Sequence, residues 1–236
     1  FGQIEVCGEE IYAQEGASLA RIASQAYEHS LAGFEFAGGI PGTLGGAVTM
    51  NAGAYGGEMK DVLVSVRILN RNGELREIPA EELNLSYRYS KVAEEGWTVL
   101  GAHIRLQKGE KADIRGRMDE YALARRTKQP LEYPSAGSTF KRPEGYFAGK
   151  LIQDSGLRGA RVGDAMVSKK HCGFLINENQ ATAKQMQSLI AQIQKKIFAD
   201  SKEAKIRLQT EVKMIGEFEP LEPMELMVLD CGTEEV

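Results

Sequence analysis

Residues 39–57 read GIPGTLGGAVTMNAGAYGG, with seven glycines in nineteen positions. Glycine weakens helices and strands, so a stretch this dense in glycine indicates backbone that approaches something closely. The stretch carries no charged residue, and Tyr55 is its one aromatic side chain. We expect either a ligand held largely by backbone N–H groups or a tightly packed system of turns. Residues 39–57 are called the glycine stretch below.

The bulk properties of the chain indicate a globular protein. Its 236 residues suffice for one large domain or two modest ones, and 42% are hydrophobic and 26% charged. The net charge of −4 gives no reason to expect nucleic-acid binding, and no apolar run is long enough to span a bilayer. Cys7, Cys172 and Cys231 show no metal-binding spacing, so we expect buried free thiols in a reducing cytosol and no metal. Because the chain starts with Phe1 in an apparent strand, we expect the N-terminal part of a longer protein to be absent.

Two common nucleotide-binding motifs do not account for the glycine stretch. A dinucleotide-binding crossover needs a preceding buried strand, a following helix and an acidic residue about 20 positions later, and the pattern predicts none of them. There is also no GKS or GKT, which excludes a Walker loop.

The hydrophobic pattern predicts an α+β protein in two lobes joined near residue 111. Strands are predicted at 3–7, 10–14, 62–69, 74–79, 97–107, 172–177 and 205–216. Helices are predicted from the cap Ser18 to a stop at Gly33, from residue 113 to about 127, within 146–157, and at 181–201 with Thr182 as cap. The last helix buries Met186, Leu189, Ile190, Ile193 and Ile197 on one face. The acidic tail from Glu217 to Val236 lacks periodicity, and we expect partial disorder or irregular packing there.

The string GIPGTLGGAVTMNAGAYGGE closely resembles the flavin-binding loop of the MurB family, the UDP-N-acetylenolpyruvoylglucosamine reductases. Further segments resemble this family in the expected order: LSYRYS (85–90), LEYPSAGSTFKRP (131–143), the block at 147–183, and LQTEVKMIG (208–216). The form AGSTFKRP, with Arg142 where some members have asparagine, is similar to the shorter subclass of these enzymes.

The resemblance implies a two-lobed vanillyl-alcohol-oxidase-type FAD-binding fold with a MurB C-terminal substrate domain. It places the second half of the FAD-binding domain at 1–111, joined by strand 205–216, and the substrate domain at 112–204, followed by an acidic tail at 217–236. The family's small first domain, whose GGSN-type loop covers the other side of FAD, has no counterpart in the sequence.

The resemblance also implies the cofactors FAD and NADPH. The glycine stretch would lie against FAD, with amides facing the pyrophosphate and the flavin edge where no Cβ blocks the approach. The implied cofactor-binding residues are Gly39, Ile40, Pro41, Gly42, Gly45, Gly46, Asn51, Gly53 and Tyr87.

The implied reaction is the reduction of an enolpyruvyl ether, with hydride from reduced flavin and NADPH as the ultimate donor. Hydride addition at the terminal carbon pushes negative charge onto the carboxylate, so the reaction needs a stabilising cation and a placed acid. The resemblance makes Ser138 the proton donor, Glu211 an acid or its orienting group, and Arg88 the cation. From the residues alone, Ser138 reads as a turn hydroxyl, and Glu211 and Arg88 as surface charges.

A UDP-sugar substrate carries two phosphates, so its binding domain should present cations. We expect Lys141, Arg142 and Lys150 to contribute, with Gln153 as a polar contact to the sugar. We further expect a cytoplasmic monomer that produces UDP-N-acetylmuramate for peptidoglycan synthesis and binds neither nucleic acid nor membrane.

Two alternatives remain open at this stage. The first is another flavoprotein of the same fold, such as an oxidase that acts on an alcohol or sugar. It leaves the serine loop unexplained, and no histidine stands where covalent flavin attachment would be natural. The second is a non-catalytic fragment that binds a nucleotide sugar.

Overall fold

The chain folds into two compact units. The computed structural model describes residues 1–201, 204–218, 220 and 221. The first unit is Phe1–Arg125, and the second comprises the described residues from Arg126 onward. In the described part of the chain, no helix has both the length and the apolar character that crossing a bilayer requires.

The first unit is built on an antiparallel five-stranded sheet, all of it within the described residues 1–125. Its strands, in spatial order, are β1 (Ile4–Cys7), β2 (Glu10–Gln14), β8 (Thr98–Arg105), β6 (Leu63–Leu69) and β7 (Leu75–Pro79). Two small pairs complete its strands, namely β3 (Leu31–Ala32) with β9 (Gln107–Lys108), and β4 (Gly53–Ala54) with β5 (Gly57–Glu58). The two predicted hairpins at 3–14 and 62–79 are confirmed.

The helices of the first unit contribute to its hydrophobic core. They are α1 (Leu19–Glu28), α2 (Leu44–Thr49), α3 (Lys91–Glu95) and α4 (Lys111–Lys128), and short 3₁₀ turns lie at Glu35–Ala37, Met59–Asp61 and Ala80–Leu83. As predicted, Ser18 caps α1, because its side chain accepts a hydrogen bond from the Arg21 amide. The helix α2 falls inside the glycine stretch, where the pattern had indicated no following helix.

The second unit contains a four-stranded antiparallel sheet and two helices among its described residues. The strands, in spatial order, are β10 (Ser135–Ser138), β13 (Phe174–Asn177), β12 (Ala165–Val167) and β11 (Arg161–Val162), and the helices are α5 (Ala148–Asp154) and α6 (Ala183–Asp200). The face of α6 at Leu189, Ile193 and Ile197 is buried in a separate core. Its spacing at i, i+4 and i+8 is the spacing that the sequence predicted.

Two predicted element limits are wrong. The helix α1 ends at Glu28 and not at Gly33, because Ser30 adopts a left-handed φ of 57° and the next residues pair as β3. The predicted strand at 205–216 is reduced to one bridge between Phe140 and Thr210. Lys205 has a left-handed φ of 42°, and Ile215 is 91% exposed, so the segment is neither continuously extended nor covered at its end.

Other expectations also need adjustment. The compact units meet in sequence at 125/126 within α4, beyond the predicted limit of 111, since the helix continues the first unit. Residues 205–216 fall in the range of the second unit and not with the first. Cys172 is buried as expected, whereas Cys7 is exposed because it ends β1 at a turn. Cys231 and most of the predicted tail lie outside the described residues.

The N-terminal cap of α6 provides a test of the second unit. Thr182 Oγ1 accepts a hydrogen bond from the Gln185 amide at 3.1 Å, and Gln185 Oε1 accepts one from the Thr182 amide at 3.0 Å. We expect Thr182→Ala to lower the free energy of unfolding by about 1 kcal/mol. Thr182→Ser, which keeps the hydroxyl, should retain most of the stability of the unmodified protein. Urea unfolding followed by circular dichroism measures both, and equal stability of the two variants would contradict the role of the cap.

Candidate active site and cofactor surface

The glycines of the glycine stretch are of two kinds, and the first kind packs inside the protein. A Cβ added at Gly53 would lie 2.6 Å from the Gly57 carbonyl oxygen, and one at Gly57 would lie 2.6 Å from Phe36 Cδ1. At Gly45 it would lie 3.0 Å from Glu15 Cβ. These glycines allow close internal packing, as the turn alternative predicted.

The second kind of glycine faces open space. A Cβ added at Gly42 or Gly46 would meet no atom within 4 Å. The space next to the backbone at these two glycines is therefore open. Nearby, Glu15 Oε2 is buried without a hydrogen-bond partner among the described residues. A hydroxyl donor from outside the protein could satisfy this oxygen. Bare backbone beside a polar acceptor fits a hydroxyl-bearing dinucleotide such as FAD.

The predicted cofactor residues divide in the same way. Exposed at the surface are Gly39, Pro41, Gly42, Gly46 and Tyr87, while Ile40, Gly45 and Gly53 are half-buried. The Arg125 guanidinium donates a hydrogen bond to the Gly39 carbonyl and so ties the start of the glycine stretch to α4.

Asn51 differs from the other predicted cofactor residues because it is buried, with 1% of its surface exposed. Its Nδ2 donates to Glu58 Oε2 at 2.9 Å and to the Ser86 carbonyl at 3.0 Å, and its Oδ1 accepts from the Lys60 amide at 2.9 Å. The side chain has both donors and its oxygen engaged within the first unit, and a contact between Asn51 and flavin stays a prediction.

Arg88 lies at the tip of a tight turn. The amides and carbonyls of Ser86 and Tyr89 bond reciprocally at 3.1 and 3.2 Å, which places Tyr87 and Arg88 between them. Arg88 has a left-handed φ of 55°, and its guanidinium carbon lies 5.3 Å from the centre of the Tyr87 ring. Ser90, the next residue after the turn, donates from Oγ to the Thr49 carbonyl at 2.7 Å.

In the second unit, Ser138 and Glu211 lie on adjacent hydrogen-bonded segments. Ser138 pairs with Phe174 at the end of β10, after an irregularity at Gly137, whose φ of 83° few other residues adopt. The Glu211 amide donates to the Thr139 carbonyl at 2.8 Å, directly after Ser138. Ser138 is exposed and Glu211 half-buried. The structure therefore brings together two predicted catalytic residues that are far apart in sequence.

The serine strand is also supported from the side of His171. The Thr139 amide donates to the Gly173 carbonyl at 2.9 Å, and the Gly173 amide donates to His171 Nδ1 at 3.1 Å. His171 also packs its ring edge against Phe174. Burial lowers the pKa of His171 below its usual value of 6.5, which favours the neutral ring that this contact needs.

A basic cavity of about 450 Å³ opens beside the segment that follows Ser138. Its charged lining consists of Lys141, Arg142, Glu144, Lys205 and Arg207. Four cations against one carboxylate make it suited to a phosphate-bearing ligand. The sequence predicted the first two cations from the motif, but it missed Lys205 and Arg207. No local signal marks them, because pairing between Lys141 and Gln209 brings them to the cavity.

The remaining predicted substrate residues have other partners. Lys150 Nζ lies 2.8 Å from Asp154 Oδ2 on the same helix α5. The Gln153 side-chain oxygen accepts from the Arg158 guanidinium at 2.6 Å. Neither residue lines the basic cavity.

Two family profiles match the chain. The profile of the FAD binding domain matches residues 2–79. The profile of the UDP-N-acetylenolpyruvoylglucosamine reductase C-terminal domain matches residues 129–215, so it includes most of the segment 205–216 that we had assigned to the first domain.

Curated proteins and a solved structure resemble the chain over most of its length. The reductase of that name from Agathobacter rectalis is 56% identical over 88% of this chain and 65% of its own length. The one from Exiguobacterium sibiricum is 53% identical over 91% of this chain and 69% of its own length. The crystal structure of UDP-N-acetylenolpyruvylglucosamine reductase (MurB) from Thermus caldophilus matches with a TM-score of 0.74 and 36% identity, over 86% of this chain and 71% of that one. The chain thus spans about two thirds of the length of the curated relatives it matches.

The lowered pKa of His171 predicts a pH dependence of stability. The unfolded chain binds a proton at this residue more readily than the folded chain, so stability is lost as the pH falls through the usual histidine range. We expect His171→Asn, which cannot be protonated, to lose less stability than the unmodified protein between about pH 7.5 and about pH 5.5. Urea unfolding at both pH values measures this difference. His29→Asn, at an exposed position in the first unit, is the matched control. An equal loss of stability in the His171 variant and the unmodified protein would contradict a lowered pKa of His171.

Proposed function

This chain belongs to the MurB family of UDP-N-acetylenolpyruvoylglucosamine reductases, and we propose that it acts in that reaction. The enolpyruvyl group of UDP-N-acetylglucosamine enolpyruvate is reduced to give UDP-N-acetylmuramate, a precursor of peptidoglycan. The fold is the α+β arrangement of an FAD-binding domain followed by a MurB C-terminal domain. The observation that carries the proposal is the placement of Ser138 beside the segment that bears Glu211.

The glycine stretch is the proposed FAD surface. Open backbone at Gly42 and Gly46 leaves room for a planar or phosphate-bearing group to approach the main chain. The chemistry that FAD supplies when bound is hydride transfer to the terminal carbon of the enolpyruvyl double bond, with NADPH as the source of the hydride. Gly39, Ile40, Pro41 and Tyr87 remain proposed contacts.

Ser138 is the proposed proton donor to the carbon next to the substrate carboxylate. A serine hydroxyl is a weak acid in water, but the enediolate that follows hydride addition is a strong base at that carbon. Ser138 is exposed, and its strand is held on one side by β13 and on the other by the 209–211 segment. Such two-sided support fixes the position of the Ser138 backbone, from which the hydroxyl must reach the substrate carbon.

Glu211 and Arg88 have proposed roles toward the same intermediate. Glu211 is half-buried next to the serine strand. It would act as an acid near the enediolate or help to orient the acid there. Arg88, held at the tip of its turn, would bind the substrate carboxylate and stabilise the charge that develops there.

The basic cavity is the proposed binding site of the two substrate phosphates. Lys141 and Arg142 line it, as do Lys205 and Arg207. Arg142 lies over the Phe147 ring at 4.0 Å and Arg207 over the Phe198 ring at 4.6 Å, so both guanidinium groups are preordered. Lys150 stays a proposed contact to the phosphates and Gln153 a proposed contact to the sugar, each reachable only if it leaves its present partner. A cytoplasmic monomer remains our expectation.

The proposed function is tested on the chain itself. The protein is mixed with FAD and freed of unbound flavin, and NADPH oxidation is followed with and without the enolpyruvyl UDP-sugar. We expect bound flavin and substrate-dependent oxidation. In Ser138→Ala, flavin reduction by NADPH should persist while product formation falls by at least about a hundredfold. Ser135→Ala, on the same strand, is the control. Unimpaired product formation by Ser138→Ala would remove Ser138 from the mechanism, and flavin binding without turnover of this sugar would contradict the substrate.

The open glycines allow a separate test of the cofactor surface. Gly46→Ala puts a methyl group into open space within α2, so folding should be unaffected or slightly stabilised, by up to about 1 kcal/mol. Retention of FAD should nevertheless weaken by about tenfold, because the methyl group would occupy the approach to the backbone. Gly116→Ala, which is equally open within α4, is the control. Equal retention of FAD by both variants would exclude contact at Gly46.

A further inference from the structure

The buried amide of Asn51 joins three segments of the first unit. It bonds the Lys60 amide, the Glu58 carboxylate and the Ser86 carbonyl, at distances of 2.9 to 3.0 Å. A primary amide can satisfy all three partners, because it has two donor hydrogens and an acceptor oxygen on one planar group. Its left-handed φ of 42° is also one that asparagine tolerates better than most residues.

The bond to Ser86 reaches the base of the turn that carries Arg88. The Ser86 carbonyl accepts from the Asn51 side chain at 3.0 Å and from the Tyr89 amide at 3.1 Å. A carbonyl oxygen has two lone pairs, so both bonds can form together. Loss of the Asn51 bond would remove the side-chain bond that holds the Ser86 end of this turn, in which Arg88 has a left-handed backbone.

A second tether lies on the other side of the same turn. Ser90 is fully buried, and its hydroxyl donates to the Thr49 carbonyl at 2.7 Å while accepting from the Ala93 amide at 3.2 Å. Thr49 is the last residue of α2, and Asn51 follows it two positions later. The turn from Ser86 to Ser90 is therefore attached at both ends to the glycine stretch.

Electrostatics agrees with this geometry. The pKa of Glu58 is lowered chiefly by its hydrogen bond with Lys60, and further by the Asn51 amide and by the charge of Arg88. Arg88 thus lies within electrostatic reach of the carboxylate that Asn51 holds. A neutral amide between them donates to the carboxylate without adding charge.

We propose that Asn51 is a positioning residue that holds the Ser86–Tyr89 turn so that Arg88 presents its guanidinium to the substrate carboxylate. This inference rests on the proposed function of Arg88. In this role Asn51 needs no contact with a ligand. Its effect on Arg88 passes through the hydrogen bond to the Ser86 carbonyl.

The sharpest variant is Asn51→Asp, which keeps the shape but replaces the donor by an acceptor. At about pH 8 the introduced carboxylate would face the Ser86 carbonyl and the Glu58 carboxylate, both acceptors, so the turn should open. At about pH 5 a proton shared between the introduced carboxyl group and Glu58 joins those two groups and leaves the Ser86 carbonyl without its donor, so the turn should stay open. We expect the Tyr89 amide to lose about tenfold in hydrogen-exchange protection at the higher pH and to regain little of it at the lower. Asn84→Asp is the matched control, since Asn84 is an exposed, left-handed asparagine close to the same turn.

A double-mutant cycle separates positioning from general loss of structure. Asn51→Asp should weaken binding of the enolpyruvyl UDP-sugar by about tenfold at about pH 8, as measured by calorimetry. In the Arg88→Ala background the same change should cost little more, because Asn51 acts through Arg88. Additive losses in the cycle, or unchanged protection of Tyr89 in Asn51→Asp, would overturn the proposal.

Two safeguards keep the outcomes distinct. If Asn51→Asp does not fold at the higher pH, Ser90→Ala takes its place, because it removes the second tether of the turn. It is measured in the same double-mutant cycle with Arg88→Ala. Additive losses in that cycle would again contradict positioning of this turn. If the unmodified chain binds neither FAD nor the sugar, the proposed function fails. The protection of Tyr89 in Asn51→Asp, compared with Asn84→Asp, then decides the tether by itself, with a loss of about tenfold in its favour and no loss against it.

Discussion

Burial of the apolar side of α2 against the five-stranded sheet is the constraint on which the surface of the first unit depends. Leu44 and Val48 have no exposed surface, and burial of each contributes about 2 kcal/mol. With these side chains directed inward, Gly46 faces open space. The end of the same helix brings Thr49 and Asn51 to the turn that carries Arg88. The proposed cofactor surface and the proposed carboxylate-binding arginine therefore share one packed support.

The second unit depends on a different constraint, namely backbone pairing between segments distant in the chain. The amide of Lys141 bonds the Gln209 carbonyl at 2.8 Å, and the amide of Glu211 bonds the Thr139 carbonyl at the same distance. This short pairing sets Glu211 beside the serine strand and also assembles the basic cavity. A fixed pairing register decides which residues of the two segments lie opposite each other, so Glu211 and the cations keep their positions relative to the serine strand.

The sequence predicted the elements whose signals are local. The cap at Ser18, the cap at Thr182 and the apolar face of α6 need only residues within one or two turns, and all three are present. The strand predicted at 205–216 was wrong, because a strand is defined by its partner and only Thr210 makes a bridge. The end of α1 was misplaced for a related reason, since pairing of β3 with the distant β9 draws the chain out of the helix.

What the sequence by itself determined is the family, and with it the order of motifs that place a glycine stretch, a Tyr-Arg turn and a serine strand in one chain. Motifs carry this information because they require particular residue types at short spacings. Only the tertiary structure decided which glycines pack internally and which face open space, and that the side chain of Asn51 is buried in a network. Only the tertiary structure places Arg207 and Lys141 in the lining of one cavity. Close approach, burial and charge clustering depend on atoms that are distant in sequence, so no local pattern encodes them.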